Sequence, residues 1–116
     1  MAKVLERMKA KSVKAKGRVL QNLVRDKLQG LFPKLTKDIA SQTMGMKGMD
    51  IVLTPLAKKK IPYAFECKNV ERFDLWKTWD QAADNAEELD PVVVVKKNKR
   101  KPKVVIDLEL FLKLIK

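Results

Sequence analysis

Between Val19 and Leu31 apolar residues recur three and four apart: Val19 and Leu20, Leu23 and Val24, then Leu28 and Leu31. That is the period of a helix with one buried stripe. Gly30 and Pro33 close the run, so the spacing predicts an amphipathic helix over 17–29 with Arg18, Gln21 and Arg25 on its more polar faces. Ahead of it Lys3, Arg7, Lys9, Lys11, Lys14 and Lys16 stand among few large apolar side chains, and residues 1–16 read as a basic arm, either mobile or a frayed helix. Ser41 to Met49 is a loop rich in Gly and Met, and Asp50 to Thr54 reads as a strand. Pro55 and the lysines 58–60 read as a turn before a second strand, Ile61 to Lys68. Leu75, Trp76, Trp79, Ala82, Ala83, Ala86 and Leu89 restore the helical period over 74–89. Val92 to Val95 is a buried strand that pairs across a basic turn with Lys103 to Asp107, and Leu108 to Ile115 is a short apolar helix. The predicted order is α-β-β-α-β-β-α, an α/β domain with a mixed central sheet flanked by helices.

Charge adds a direction to this order. The chain has 116 residues, one domain's worth, with 26 Lys and Arg against 14 Asp and Glu and a formal charge of +12. Residues 1–60 hold 15 of the positive and 4 of the negative side chains, and residues 65–95 net −5. Lys96, Lys97, Lys99, Arg100, Lys101 and Lys103 then crowd into the 96–103 turn. Runs of charge are often solvated faces, but an acidic stretch between two basic ones favours a polyanionic partner, nucleic acid before an anionic membrane.

Absences narrow the chemistry. The chain has no His, which excludes imidazole acid–base catalysis and His-ligated zinc. Its single Cys, Cys67, excludes an intrachain disulfide and reads as a small core residue. No secretory core opens the chain and no run reaches a membrane span, so a cytoplasmic, reduced protein with no small-molecule cofactor is expected. A hydrolase built from these residues works with carboxylates, lysine and a hard metal.

Such a set is present. Residues two apart on a strand share a face, so Glu66 and Lys68 stand together while Phe65 and Cys67 face the core. If the strand that Asp50 opens pairs with theirs, two carboxylates and a lysine converge. The carboxylates suit Mg²⁺, for which Mn²⁺ substitutes, and the Cys67 carbonyl can complete the shell. The lysine can orient water and offset charge on a phosphorane. With 6 Glu and 21 Lys, a Glu-x-Lys tripeptide is expected roughly once by chance, so its weight comes from context.

In that context Asp50 and Glu66-Cys67-Lys68 resemble the PD-(D/E)xK nuclease motif, and the element order resembles its restriction-endonuclease-like core. Lys16-Gly17-Arg18 with Gln21, the loop from Ser41, the run Glu66 to Asn69 and Gln81 are similar to small, phage-type Holliday-junction-resolvase-like members. The resemblance implies Asp50 and Glu66 as metal ligands, Lys68 as the catalytic lysine, and Ser41 and Gln81 near scissile phosphate or DNA. Many archaeal-type members carry Glu where this chain has Gln21, which implies a water or phosphate contact there in place of a charged ligand. Met49 stands where the motif has Pro. For a phage-encoded chain the location implied is the host cytoplasm.

Lys16, Arg18, Arg25, Lys47, Lys97, Lys99 and Arg100 are candidate phosphate contacts. Trp76 and Trp79 fit core or dimer packing, or stacking on unpaired bases. Met44, Met46 and Met49 fit adaptable packing. The apolar 108–115 helix fits core or a dimer seam. The expected function is a Mg²⁺-dependent endonuclease on branched DNA, a homodimer because paired nicks need two sites. A nicking or structure-tolerant nuclease of the same fold, or a non-catalytic basic nucleic-acid-binding protein, are the alternatives.

Overall fold

A computed structural model describes the backbone of residues 2–116 and the side chains of Val4 and residues 12–116. Helix α1 spans Ala2–Leu31 without a break, so of the two readings of the basic arm the helical one holds, and the helix begins well before Gly17. The reason lies in propensity: residues 2–16 are mostly Ala, Lys, Arg, Glu, Leu and Met, strong helix formers with no Pro or Gly among them. The later turns bury a stripe, with Leu20 fully enclosed and Val24 and Leu28 packed against the core.

After a 3-10 turn over Pro33–Asp38 come two short antiparallel strands, β1 (Ile39–Ser41) and β2 (Ile51–Leu53), with Ile39 opposite Leu53 and Ser41 opposite Ile51. Strand β1 was not anticipated, because three residues are too few to show a period of two. The turn expected at 55–60 is instead a helix, α2 (Pro55–Lys60). Thr54 caps it by accepting from the Ala57 N–H at 3.3 Å, Pro55 starts it, and Ala57 is its buried anchor.

Strand β3 (Tyr63–Asn69) runs parallel to β4 (Asp90–Lys96), with Glu66 opposite Val93. Parallel neighbours need a crossover, which α3 (Leu75–Asn85) supplies, capped by Asp74 accepting from the Lys77 N–H. The helix ends four residues before the expected Leu89, where Glu87 turns the chain at a φ of 53°. Strand β5 (Lys103–Val105) pairs antiparallel with β4 as expected, and α4 (Leu108–Ile115) follows. The observed order is α-β-β-α-β-α-β-β-α.

The fold is therefore α/β, with a mixed three-stranded sheet β3-β4-β5 and a separate antiparallel pair β1-β2. Strands β2 and β3 do not form the ladder expected of them: β2 pairs with β1, and one backbone–backbone bond, from the Asp50 N–H to the Phe65 carbonyl at 3.0 Å, links the two sheets. Helix α1 covers one face through Leu20 and Val24, against Phe65, Cys67, Val92 and Val94. The opposite face of β3 and β4, with Glu66 and Val93, lies under α3. No helix among the described residues is long and apolar enough to cross a membrane.

Candidate active site

Asp50 sits at the point where the two sheets meet. Its N–H donates to the Phe65 carbonyl, and its Oδ2 accepts from the Cys67 N–H at 2.7 Å. These partners flank Glu66, so the Asp50 carboxylate is held beside Glu66 without a full strand ladder. The Asp50 carbonyl accepts from the Gln42 N–H at 2.8 Å and from Gln21 Nε2 at 2.9 Å. With those groups committed to the frame, Oδ1 is the oxygen available to a ligand.

Glu66 is only 4% exposed, and Lys68 follows two residues on, half-buried. Burial pushes the Glu66 carboxyl up to about 7; the Asp50 charge adds to this, while Lys68 and a hydrogen bond from Asn85 oppose it. Burial likewise raises Asp50, against the pull of the Cys67 N–H and Lys68. The Cys67 thiol is driven upward by burial and then by both carboxylates, which makes it a core group and not a nucleophile.

Two cavities meet at this point. One of about 650 Å³ runs between the 45–48 loop and α3, with Asp50 and Glu66 in its wall. The other, about 250 Å³, opens between α1 and the end of β3 and is lined by Asp50, Glu66, Cys67, Lys68 and Asn69. Gln81 borders both. The Cys67 N–H points to Asp50, away from β4, and the carbonyl of a strand residue points the same way as its N–H. Asp50 Oδ1, Glu66 and the Cys67 carbonyl therefore form a hard oxygen set of the kind Mg²⁺ accepts with water and phosphate completing its shell. Among the described residues no group of three His, Cys, Asp or Glu side chains converges, so a cation here relies on two carboxylates and backbone.

The other predicted residues divide. Gln21 is a positioning residue: its buried Nε2 donates to Ser41 Oγ at 3.2 Å, to the Gln42 carbonyl at 3.1 Å and to the Asp50 carbonyl at 2.9 Å. The expected water or phosphate contact through that nitrogen is thus replaced by a brace. Two of its acceptors are carbonyls, which explains an amide here where a carboxylate would be repelled. Ser41 belongs to the same brace and lines neither cavity. Lys47 lines the larger cavity.

Arg18 is exposed, whereas Arg25 is paired with Asp26 at 2.9 Å. Lys16 is half-buried, and its carbonyl accepts from Asn69 Nδ2 at 3.1 Å. Lys97, Lys99 and Arg100 stand exposed on the β4–β5 turn, which is pinned where the Asn98 N–H donates to Glu71 Oε2. Val70 borders both the smaller cavity and the groove under this turn, so the basic hairpin adjoins the site. Trp79 is half-buried, but Trp76 is 74% exposed and outside the core.

Sequence reasoning missed Asn85, the Glu66 partner, and Lys77, Asp80 and Asp84 in the cleft wall. Lys77, Gln81 and Asn85 recur every four residues, a polar stripe that was readable beside the apolar one. No protein-family model, curated protein or solved structure matches the chain.

Proposed function

We propose that the chain is a metal-dependent DNA endonuclease of the PD-(D/E)xK type on a restriction-endonuclease-like core. One observation carries the reading: Asp50 is bonded to β3 on both sides of Glu66, with Lys68 next on the same face, at the junction of two cavities. A buried carboxylate beside a half-buried one is unfavourable without a cation, and the upward shift at Glu66, driven first by its burial and then by the Asp50 charge, expresses that cost. A resident cation removes it, so the site is arranged for an ion.

When bound, Mg²⁺ supplies Lewis-acid polarisation of the scissile phosphate and acidification of the attacking water. The protein contributes position. Asp50 is fixed by Gln21 and β3, and Asn85 lines the cleft wall beside Glu66. Lys68 holds the attacking water on the same face and offsets the negative charge gathering on the phosphorane. Lys47 at the cleft and Lys97, Lys99 and Arg100 on the hairpin grip duplex phosphates, giving affinity without reading sequence.

The substrate proposed is branched DNA, a Holliday junction above all, cut in the cytoplasm where such DNA is processed. A labelled four-way junction and a linear duplex, each with Mg²⁺ and with EDTA, test this with wild type and Glu66→Gln. Paired nicks in the junction alone, lost in the variant with binding retained, are expected. Equal cutting of both substrates removes the junction preference. Tight binding with no cutting in Mg²⁺ or Mn²⁺ overturns the nuclease and leaves a nucleic-acid-binding protein.

A further inference from the structure

A groove of about 540 Å³ lies where the end of α1, the 3-10 turn and α2 come together, a size that takes the anchoring side chains of a peptide. Leu31, Phe32, Pro33, Leu35 and Leu56 make its walls hydrocarbon. Leu31 is 73% and Leu56 56% exposed, so this hydrocarbon faces solvent and not the core. The remaining lining residues are Lys34, Lys59 and Lys60, all exposed, and among the described residues no carboxylate lines the groove. On α2, Leu56, Lys59 and Lys60 are three and four apart and share a face, while Ala57 and Ile61 hold the other side in the core. Asp38, the one acidic residue of the 3-10 turn, is committed elsewhere, its Oδ1 accepting from Thr54 Oγ at 2.7 Å.

The groove is formed in the free chain. Gln29 Nε2 donates to the Thr36 carbonyl at 3.1 Å and the Ile39 carbonyl at 2.9 Å, which ties the turn to α1. The Ile61 N–H donates to the Ala57 carbonyl at 2.8 Å and closes α2. Its place in the fold is set by β1 and β2. Where Ile39 meets Leu53 the antiparallel pair leads to the groove, and where Ser41 meets Ile51 it leads to Asp50. The groove shares no lining residue with the two cavities around Asp50, so an occupant leaves the cleft open.

We infer that this groove docks an acidic segment of another protein, which seats two large apolar side chains between the leucines and pairs its carboxylates with Lys34, Lys59 and Lys60. Charge complementarity selects that partner: hydrocarbon walls need hydrocarbon, and a rim of one sign needs the other. Nucleic acid supplies the charge but not the filling, because bases are held by stacking and the groove offers one half-buried ring, Phe32, among aliphatic walls. Docking here tethers the chain to a partner without covering its site. The inference goes beyond the nuclease reading and does not depend on it.

Fluorescence anisotropy on the metal-free chain in about 0.15 M salt tests it. The probes are three labelled peptides of Asp and Glu that carry one Leu and one Phe, adjacent, three apart or four apart, and a matched peptide with Ala at both positions. At least one Leu–Phe peptide is expected to bind with a Kd of about 10 μM or tighter, and the Ala peptide about tenfold more weakly or worse. The pair Leu31→Ser and Leu56→Ser, which leaves charge unchanged, and the pair Lys59→Glu and Lys60→Glu are each expected to weaken binding about tenfold or more, with circular dichroism unchanged. Amide shifts on titration should cluster at 31–35 and 56–60.

No binding by any Leu–Phe peptide overturns the proposal. So does equal binding of the Ala peptide, which is charge attraction alone, or binding that survives either pair of substitutions. If the serine pair weakens duplex DNA binding as much as peptide binding, the groove belongs to nucleic acid. If it releases the chain from phosphatidylglycerol vesicles, or dissociates a dimer, the occupant is a membrane or a second copy; each of these results overturns the proposal too. A chain that docks the peptide and cuts no DNA rejects the nuclease alone, since neither metal nor DNA enters the docking assay.

Discussion

The Asp50–Glu66 corner and helix α4 invert the same rule in opposite directions. In the first, carboxylates lie where apolar groups belong; in the second, Leu and Phe lie where charges belong. The corner is held by hydrogen bonds from Gln21, Gln42 and Cys67, so its strain is confined to charge and not to geometry. Helix α4 has no comparable frame, and its capping residue, Asp107, makes no side-chain cap bond. On the proposed nuclease reading, the region braced around buried charge takes a small, hard ligand, whereas the hydrocarbon-rich helix has no such frame.

The largest effect should come from removing charge at the corner. Glu66→Gln or Lys68→Ala is expected to lower cleavage of a junction substrate by about 10³-fold or more with DNA affinity unchanged, measured by single-turnover kinetics beside a binding titration. Loss of affinity in parallel would make these residues simple DNA contacts. Next, the two regions should answer differently to loss of hydrocarbon. Leu20→Ala, in the enclosed core, should cost about 3–5 kcal/mol in urea unfolding. Leu112→Ala, on exposed α4, should cost under about 1 kcal/mol. Equal costs would place α4 in the core of the single chain.

The pH dependence is smaller and carries a definite sign. Below the ordinary Glu value of 4.5 the Glu66 carboxyl is protonated in both folded and unfolded chains and costs nothing. As pH rises toward 7 the unfolded chain sheds its proton first, so metal-free stability falls, by on the order of 3 kcal/mol once the folded carboxyl has ionised. Glu66→Gln should flatten this profile and raise the Tm of the metal-free protein near pH 8, and added Mg²⁺ should restore wild-type stability there. A wild-type profile as flat as the variant's would rule out a strained carboxylate. Last, Gln21→Glu should lose about 2 kcal/mol at pH 8 and less at pH 4, where a protonated carboxyl can again donate to the Asp50 carbonyl. Gln21→Ala should show no such pH difference.

How much of this was legible in the chain depended on how each residue's role is encoded. Helix α3, strands β3 to β5 and the Asp50–Glu66–Lys68 grouping follow from periodicity and alternation, which are local. The convergence itself was reached by a different route: β2 spends its hydrogen bonds on β1, and Asp50 touches β3 through two bonds that flank Glu66. Gln21 was singled out, but its role depends on three acceptors 20 or more residues away. No spacing rule carries such a contact. Helix formation before Gly17 stood only as one of two readings because apolar spacing was weighed above propensity, and α2 was missed because Pro55 and the lysines 58–60 were read as a turn, with the Thr54 cap and the Ala57 anchor overlooked.

The loop from Gln42 to Met49 leaves and re-enters the fold at nearly the same place, since the Gln42 N–H is bonded to the Asp50 carbonyl. Gly45 and Gly48, at φ values of 85° and 108°, shape its bends, and residues 45–48 wall the larger cavity. A segment closed at its base in this way behaves as an exchangeable cassette. Doubling its length adds only about 0.6 kcal/mol of closure entropy. The width of the cleft can thus be re-cut by insertion, in the laboratory or over generations, while Asp50 stays where Gln21 and β3 hold it.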